Sequence, residues 1–172
     1  MRSAVAETAI DRGSDAPEPL YELIELMFFA YRDFVRDADL ILAGDGFGRA
    51  HHRVLYFATR RPGLTIAELL DILQITKQSL NRVLKDLVDR GYVTNTLDEV
   101  DRRQRRLHAT ERGAALIGEI AAVQSARFTR AFGRVGGDAE ARAAAFLAAM
   151  MDGAPRQSDA RAAPRDAIRV VD

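Results

Sequence analysis

The stretch from Thr65 to Thr110 constrains the fold most, because three helix starts and one helix stop fall in it at short intervals. Thr65-x-x-Glu68 is a capping box, in which each side chain satisfies a first-turn backbone N–H that otherwise has no partner. It predicts a short helix over residues 66–73. After Gln74-Ile75, Thr76 caps a second helix over 77–90, and Gly91 ends it in the left-handed conformation that glycine tolerates. Residues 91–97 read as a strand, 98–103 as a charged turn and 104–109 as the return strand. Thr110 then caps a long Ala-rich helix. Two capped helices separated by a tight turn and followed by a charged hairpin predict a winged helix-turn-helix.

The second of these helices divides cleanly. Leu80, Val83, Leu84, Leu87 and Val88 share one face, which must be core. Lys77, Gln78, Asn81, Arg82 and Lys85 share the other, near the N-terminal half, and no acid appears there before Asp86 and Asp89. An α-helix fits the major groove of B-DNA with its N-terminal residues at the base edges. Gln and Asn match adenine, Arg and Lys match guanine, and the hydroxyls of Thr76 and Ser79 suit phosphates at the helix start. The hairpin carries Arg102, Arg103, Arg105 and Arg106 within five residues. Arginines at a hairpin tip suit the narrow minor groove, where negative potential is enhanced. A solvated mixed-charge surface is the bland reading of either feature alone. Their adjacency favours a reader of duplex DNA.

The flanks predict long helices. Leu20, Leu23, Ile24, Met27, Phe28, Tyr31, Phe34 and Val35 recur at three- and four-residue steps over 19–42, and Ala43-Gly44-Asp45-Gly46 breaks the pattern. A helix over about 47–59 buries Val54, Leu55 and Ala58. Beyond Phe132, Gly136-Gly137 interrupts and Asp138 caps a last helix ending near Gly153. A lobe of about 60 residues cannot bury the wide apolar face of 19–42 together with Phe128, Phe132, Phe146, Leu147, Met150 and Met151. Two chains are therefore expected to interlock through the helices at 19–42 and 111–153, as a homodimer with its two recognition helices about one DNA turn apart. Residues 1–17 read as a flexible arm, 18–153 as one domain with its DNA-binding lobe at about 47–110, and 154–172 as a tail. The fold class is mainly α with a small β wing.

Composition removes other classes. The 25 Lys plus Arg against 25 Asp plus Glu exclude a nonspecific cationic coater but not a site-specific binder, which depends on where the charge sits. Without cysteine there is no thiolate metal site or thiol sensor. No apolar run approaches the roughly 18 residues of a membrane span, and the N-terminus lacks a secretory pattern, so the cytoplasm is expected. His51 and His52 point about 100° apart on a helix, and with His108 in the wing they make no metal site. There is no phosphate loop and no H-E-x-x-H pair, so neither catalysis nor a cofactor is expected. The competing reading is a winged-helix protein-interaction module without DNA binding.

Residues 63–113 resemble the MarR-type winged-helix regulators. The resemblance rests on Thr65, Glu68 and Leu69; on Leu87, Gly91, Tyr92 and Val93; on Asp98, Asp101 and Arg103 in the wing; and on Thr110 and Gly113. It extends more weakly over 19–153, where the flanking helices match the family's dimerisation elements. Residues 47–55 resemble the PetP-like branch of that family. Two positions depart from the pattern. Val100 stands where a wing-tip arginine is common, which leaves that contact to Arg102, and Ala109 stands where leucine is common. The resemblance implies a crevice for a small aromatic anion between the dimerisation helices and the lobe, lined here by Tyr31, Phe34, Arg49, His52 and Arg53. Core packing accounts for the aromatic members equally well.

Overall fold

A computed structural model describes residues 18–97 and 104–152. The expected arm at 1–17, the wing turn at 98–103 and the tail at 154–172 lie outside the described residues. The elements run α1 (Tyr21–Gly44), α2 (Arg49–Arg60), β1 (Leu64–Thr65), α3 (Ile66–Leu73), α4 (Lys77–Asp89), β2 (Val93–Leu97), β3 (Arg105–Ala109), α5 (Glu111–Val135) and α6 (Ala139–Ala149). The chain is mainly helical with one small antiparallel sheet, as the sequence pattern predicts.

Each helix boundary has a local cause. α1 outlasts its expected end by two residues, and the Asp45 and Phe47 N–H groups then close onto the Leu42 carbonyl at 3.1 and 2.9 Å. Phe47 does not open α2. It stays outside the helix and is buried, while Gly48 takes the cap position and donates its N–H to Nδ1 of His51 at 3.2 Å. Gly91 follows α4 at φ +75°, the left-handed stop expected of it. Thr110 caps α5 by accepting the Gly113 N–H at 3.1 Å. Asp138 does not cap α6 through its side chain. Its backbone is not extended as a cap requires, and its carboxylate pairs instead with Arg142 at 3.6 Å.

The sheet has the order β1-β3-β2. In the hairpin, Val93 faces Ala109, Asn95 faces Leu107 and Leu97 faces Arg105. β1 adds a two-residue edge, Leu64 opposite Leu107, which the sequence reading does not anticipate because so short a strand has no period. Leu107 is thus the sheet's central inward residue. The core gathers Leu42, Val54, Leu55, Leu69, Leu80, Leu87, Tyr92, Leu107 and Ile120. It takes in Ala38 from α1 and Leu116 and Ile117 from α5, so both long helices are rooted in the lobe.

Away from the lobe, α1 and α5 hold together through Arg127 and Asp37 (2.7 Å) and through Phe34 and Phe128, whose ring centroids lie 5.4 Å apart. The first half of α1 is exposed on every side. Leu26 and Phe29 join Leu23, Ile24, Met27, Phe28 and Tyr31, so the apolar surface is wider than the single stripe read from spacing. Phe146, Leu147, Met150 and Met151 at the other end are exposed as well.

α5 comes unusually close to the sheet at Gly113. A Cβ there would lie 2.2 Å from the Tyr92 carbonyl oxygen and 3.0 Å from Cδ1 of Leu55. Backbone on one side leaves no room for relaxation. Gly113→Ala is expected to destabilise the fold by about 1–3 kcal/mol. Gly118→Ala, in the same helix with open space around it, should instead stabilise by roughly 0.5–1 kcal/mol. Urea denaturation of both variants reads the difference in sign.

Candidate nucleic-acid interface

The interface is built on α3 and α4. The Thr65 N–H donates to Oε2 of Glu68 at 2.8 Å, and the Glu68 N–H donates to the Thr65 hydroxyl at 3.2 Å. These two bonds are the reciprocal cap expected from Thr-x-x-Glu. The Thr65 N–H holds the Glu68 carboxyl below the usual carboxylate range. The Thr65 hydroxyl and the charges of Arg106 and Arg61 add to this, and burial opposes it. α3 closes at Gln74, which adopts a left-handed φ of +50° and donates its N–H to the Leu70 carbonyl at 2.9 Å. This sharp reversal sets the angle at which α4 departs. At the start of α4 the Thr76 hydroxyl accepts the Ser79 N–H at 3.2 Å and donates to the Ser79 oxygen at 2.9 Å.

α4 sits on the core by Leu80, Leu84 and Leu87, with Val83 half-buried beside them. Val88 departs from the expected inward face and is 36% exposed. At about 100° per residue it lies some 80° round the helix from Leu80, at the edge of the stripe. Thr76, Lys77, Gln78, Ser79, Asn81, Arg82 and Lys85 are all exposed. The acids occupy the later turns and are engaged. Asp89 pairs with the Lys85 ammonium. Asp86 accepts from Nε2 of His51 at 3.0 Å and lies 3.8 Å from Arg90. Because Nδ1 of His51 already accepts the Gly48 N–H, the proton sits on Nε2, and this imidazole ties α2 to α4. An open concavity of about 640 Å³ runs along this side, lined by His51, Ser79, Arg82, Lys85 and Asp86 among others.

Of the wing arginines, Arg105 is exposed at the turn end of the hairpin, opposite Leu97. Arg106 is half-buried and donates to the Gly63 carbonyl at 3.0 Å, which fastens β3 to the turn before β1. Arg102 and Arg103 lie outside the described residues, as do Asp98, Val100 and Asp101.

The five crevice residues separate into two groups. Arg49 grips Asp39 through Nη2 at 2.8 Å and Nε at 3.0 Å, and Asp39 raises its pKa, with Tyr31 adding to the effect. His52 faces the same charge. Burial lowers its pKa against the pull of Asp39, and its Nε2 is buried with no hydrogen-bond partner among the described residues. Arg49 and His52 thus share the surroundings of Asp39, and Tyr31 adjoins Arg49. Phe34 turns to Phe128, and Arg53 donates to the Leu73 carbonyl at 2.9 Å, stitching α2 to the end of α3. Among the described residues no group of three acids or histidines is placed to hold a metal ion, and no helix is long and apolar enough to cross a membrane.

A helix-turn-helix whose second helix shows an acid-free polar half to solvent, beside a β wing, defines a winged-helix DNA-binding regulator. The comparisons narrow the class. A profile of the MarR family matches residues 45–104. The HTH-type transcriptional regulator PetP of Rhodobacter capsulatus is 47% identical over 140 residues, covering 81% of this chain and 84% of that protein. A MarR transcriptional regulator from Methanosarcina mazei Go1 superposes with a TM-score of 0.63 at 25% identity, covering 76% of this chain and 94% of that one. A MarR family protein of Mycobacterium tuberculosis, solved in complex with p-aminosalicylic acid, gives a TM-score of 0.53 at 25% identity over 76% and 96%. The chain belongs to the MarR family of transcriptional regulators.

The cap of α3 can be tested directly. Thr65→Ala should cost about 1 kcal/mol of stability. Glu68 has a depressed folded pKa, so its charged form contributes stability above the ordinary glutamate range, and that contribution is lost as pH falls through the folded value. Glu68→Gln should therefore be less stable than the native chain near pH 7 and indistinguishable from it in acid. Urea titrations at a series of pH values from 7 downward compare the two, and the difference should shrink as pH falls.

Proposed function

We propose that this regulator binds a pseudo-palindromic duplex as a homodimer and represses transcription by occluding the promoter. In this reading α4 enters the major groove. Lys77, Gln78, Asn81, Arg82 and Lys85 face the base edges, while Thr76 and Ser79 hold phosphates at the helix N-terminus. Lys85 exchanges Asp89 for DNA on binding. Arg102, Arg103 and Arg105 carry the wing to the minor groove. The observation that carries the reading is the exposure of every polar residue in the first half of α4, opposite a fully buried leucine stripe.

The dimer follows from surface that one chain leaves uncovered. Covering a large apolar side chain is worth about 1.5–3 kcal/mol, and the first half of α1 and the end of α6 together expose more than ten. So wide a patch is not sustained on a free monomer. We take 47–110 as the DNA-binding lobe and the helices flanking it as the dimerisation elements. The protein is placed in the cytoplasm, with its DNA, and no catalytic step is assigned to it. A protein-interaction module would lack the steep salt dependence that phosphate contacts impose.

We further propose that a small aromatic anion relieves the repression. The Mycobacterium tuberculosis protein in complex with p-aminosalicylic acid supports the ligand class. Arg49, the unpartnered Nε2 of His52 and the Tyr31 ring supply a cation, a donor when protonated, and an aromatic wall.

Selection of bound sequences from random duplexes should return an inverted repeat. Gln78→Ala or Arg82→Ala should then change the preferred bases at a cost of about 1–3 kcal/mol, whereas Arg105→Ala should weaken all sequences evenly and lower the salt slope by about one. Equal effects from all three would refute the assigned roles, and sedimentation showing only monomer at micromolar concentration would remove the dimer. p-Aminosalicylate should release DNA from the native protein but not from Arg49→Ala or His52→Ala. Release from all three proteins alike would place the anion elsewhere.

A further inference from the structure

Five chain segments meet at Asp45, just beyond the end of α1. The Asp45 carbonyl accepts from Nη2 of Arg90, the residue that ends α4. The Asp45 carboxylate accepts the Tyr92 hydroxyl at 2.5 Å, and Tyr92 is 1% exposed. Arg112, in the first turn of α5, reaches the same carboxylate oxygen at 3.4 Å and donates to the Arg90 carbonyl at 3.5 Å. The rings interleave with these charges. Arg90 lies over Phe47, 4.1 Å to the centroid, and Arg112 lies over Tyr92 at 4.2 Å. Phe47 meets Tyr92 edge-on and stacks on His51, each at 4.8 Å, and His51 returns to α4 at Asp86. The ends of both helices that lead away from the lobe, α1 and α5, are thereby bonded to the C-terminal end of the recognition helix.

We propose that Asp45 is a positioning residue that fixes the angle of α4 against α1 and α5, and so the spacing of the two half-sites the dimer can read. The inference rests on the dimeric DNA-binding reading above. Its physical basis is leverage. α4 has 13 residues and is about 20 Å long, and of the residues assigned to bases Lys77, Gln78, Asn81 and Arg82 lie in the half remote from the cluster. A pivot of about 10° at Arg90 moves that far end by roughly 3.4 Å, one base-pair step. Apolar contacts hold the lobe together but tolerate small rotations. Directional hydrogen bonds and ring-stacked guanidiniums do not. The exposed guanidinium of Arg112 adds little to stability. Its place here is accounted for by geometry.

The test uses the full-length protein and duplexes carrying two selected half-sites, at the preferred spacing and at spacings one and two base pairs longer and shorter. A duplex with a single half-site is the control. The native protein should discriminate against a one-base-pair change by about tenfold or more. Tyr92→Phe and Asp45→Asn, both nearly isosteric, should compress this ratio to about threefold or shift the preferred spacing, with single-half-site affinity unchanged. Variants that keep the native ratio, whether or not affinity falls evenly, overturn the role of Asp45 and leave the dimer reading intact. A native protein indifferent to spacing, or one that binds a single half-site as tightly as a pair, overturns the dimer reading itself and this inference with it.

Discussion

The seating of Leu80, Leu84 and Leu87 against α2 and the sheet is the contact on which the rest of the molecule turns. It fixes the rotation of α4 about its own axis. Once those three side chains are inside, the helix period obliges Gln78, Asn81, Arg82 and Lys85 to face water, while Lys77, nearly in line with Leu84, is exposed because it stands at the first helical position. The cap at Thr76 fixes where the helix begins, and the left-handed Gln74 before it fixes the direction of approach. A slip of one residue in any of these would turn leucines outward and lysines inward, at a cost no surface contact offsets. The reading face is therefore specified by the core behind it.

What the sequence reveals and what it withholds differ by the range of the interaction. Thr65 with Glu68, Thr76 with Ser79, Thr110 with Gly113 and the stop at Gly91 are local, and each acts where its spacing places it. The hairpin register follows from Val93, Asn95 and Leu107 alternating across two short strands. Val88 sits at the margin of its stripe, where burial depends on a neighbour that no periodicity describes. Asp138 looks like a cap by residue type, but the backbone after Gly136-Gly137 enters the helix by another path. The Asp45 cluster joins residues 45 to 67 positions apart, and no spacing rule reaches so far. Of the five residues assigned to the crevice, Arg49 and His52 share Asp39 as a neighbour and Tyr31 adjoins Arg49, while Phe34 and Arg53 take partners that only the packing of α1 on α5 and of α2 on α3 supplies.

A net charge of zero makes the arrangement of charge matter more than its amount. Asp86 and Asp89 stand in the last turn of α4, where the helix dipole already accumulates negative potential, so their placement opposes local stability. Lys85, His51 and Arg90 offset them. At the opposite end Lys77 and Arg82 add to the positive potential of free N–H groups, and no acid of the helix lies among them. The acids of the C-terminal turns are thus matched by neighbouring cations, whereas Lys77 and Arg82 in the N-terminal half have no acid of the helix beside them, so the unmatched positive charge lies in that half. On the reading proposed above, a phosphate backbone arriving from solution would be drawn to the N-terminal half of α4. On that reading the uneven charge would orient the encounter before any base is touched, a directional preference that a protein of uniformly high positive charge would lose.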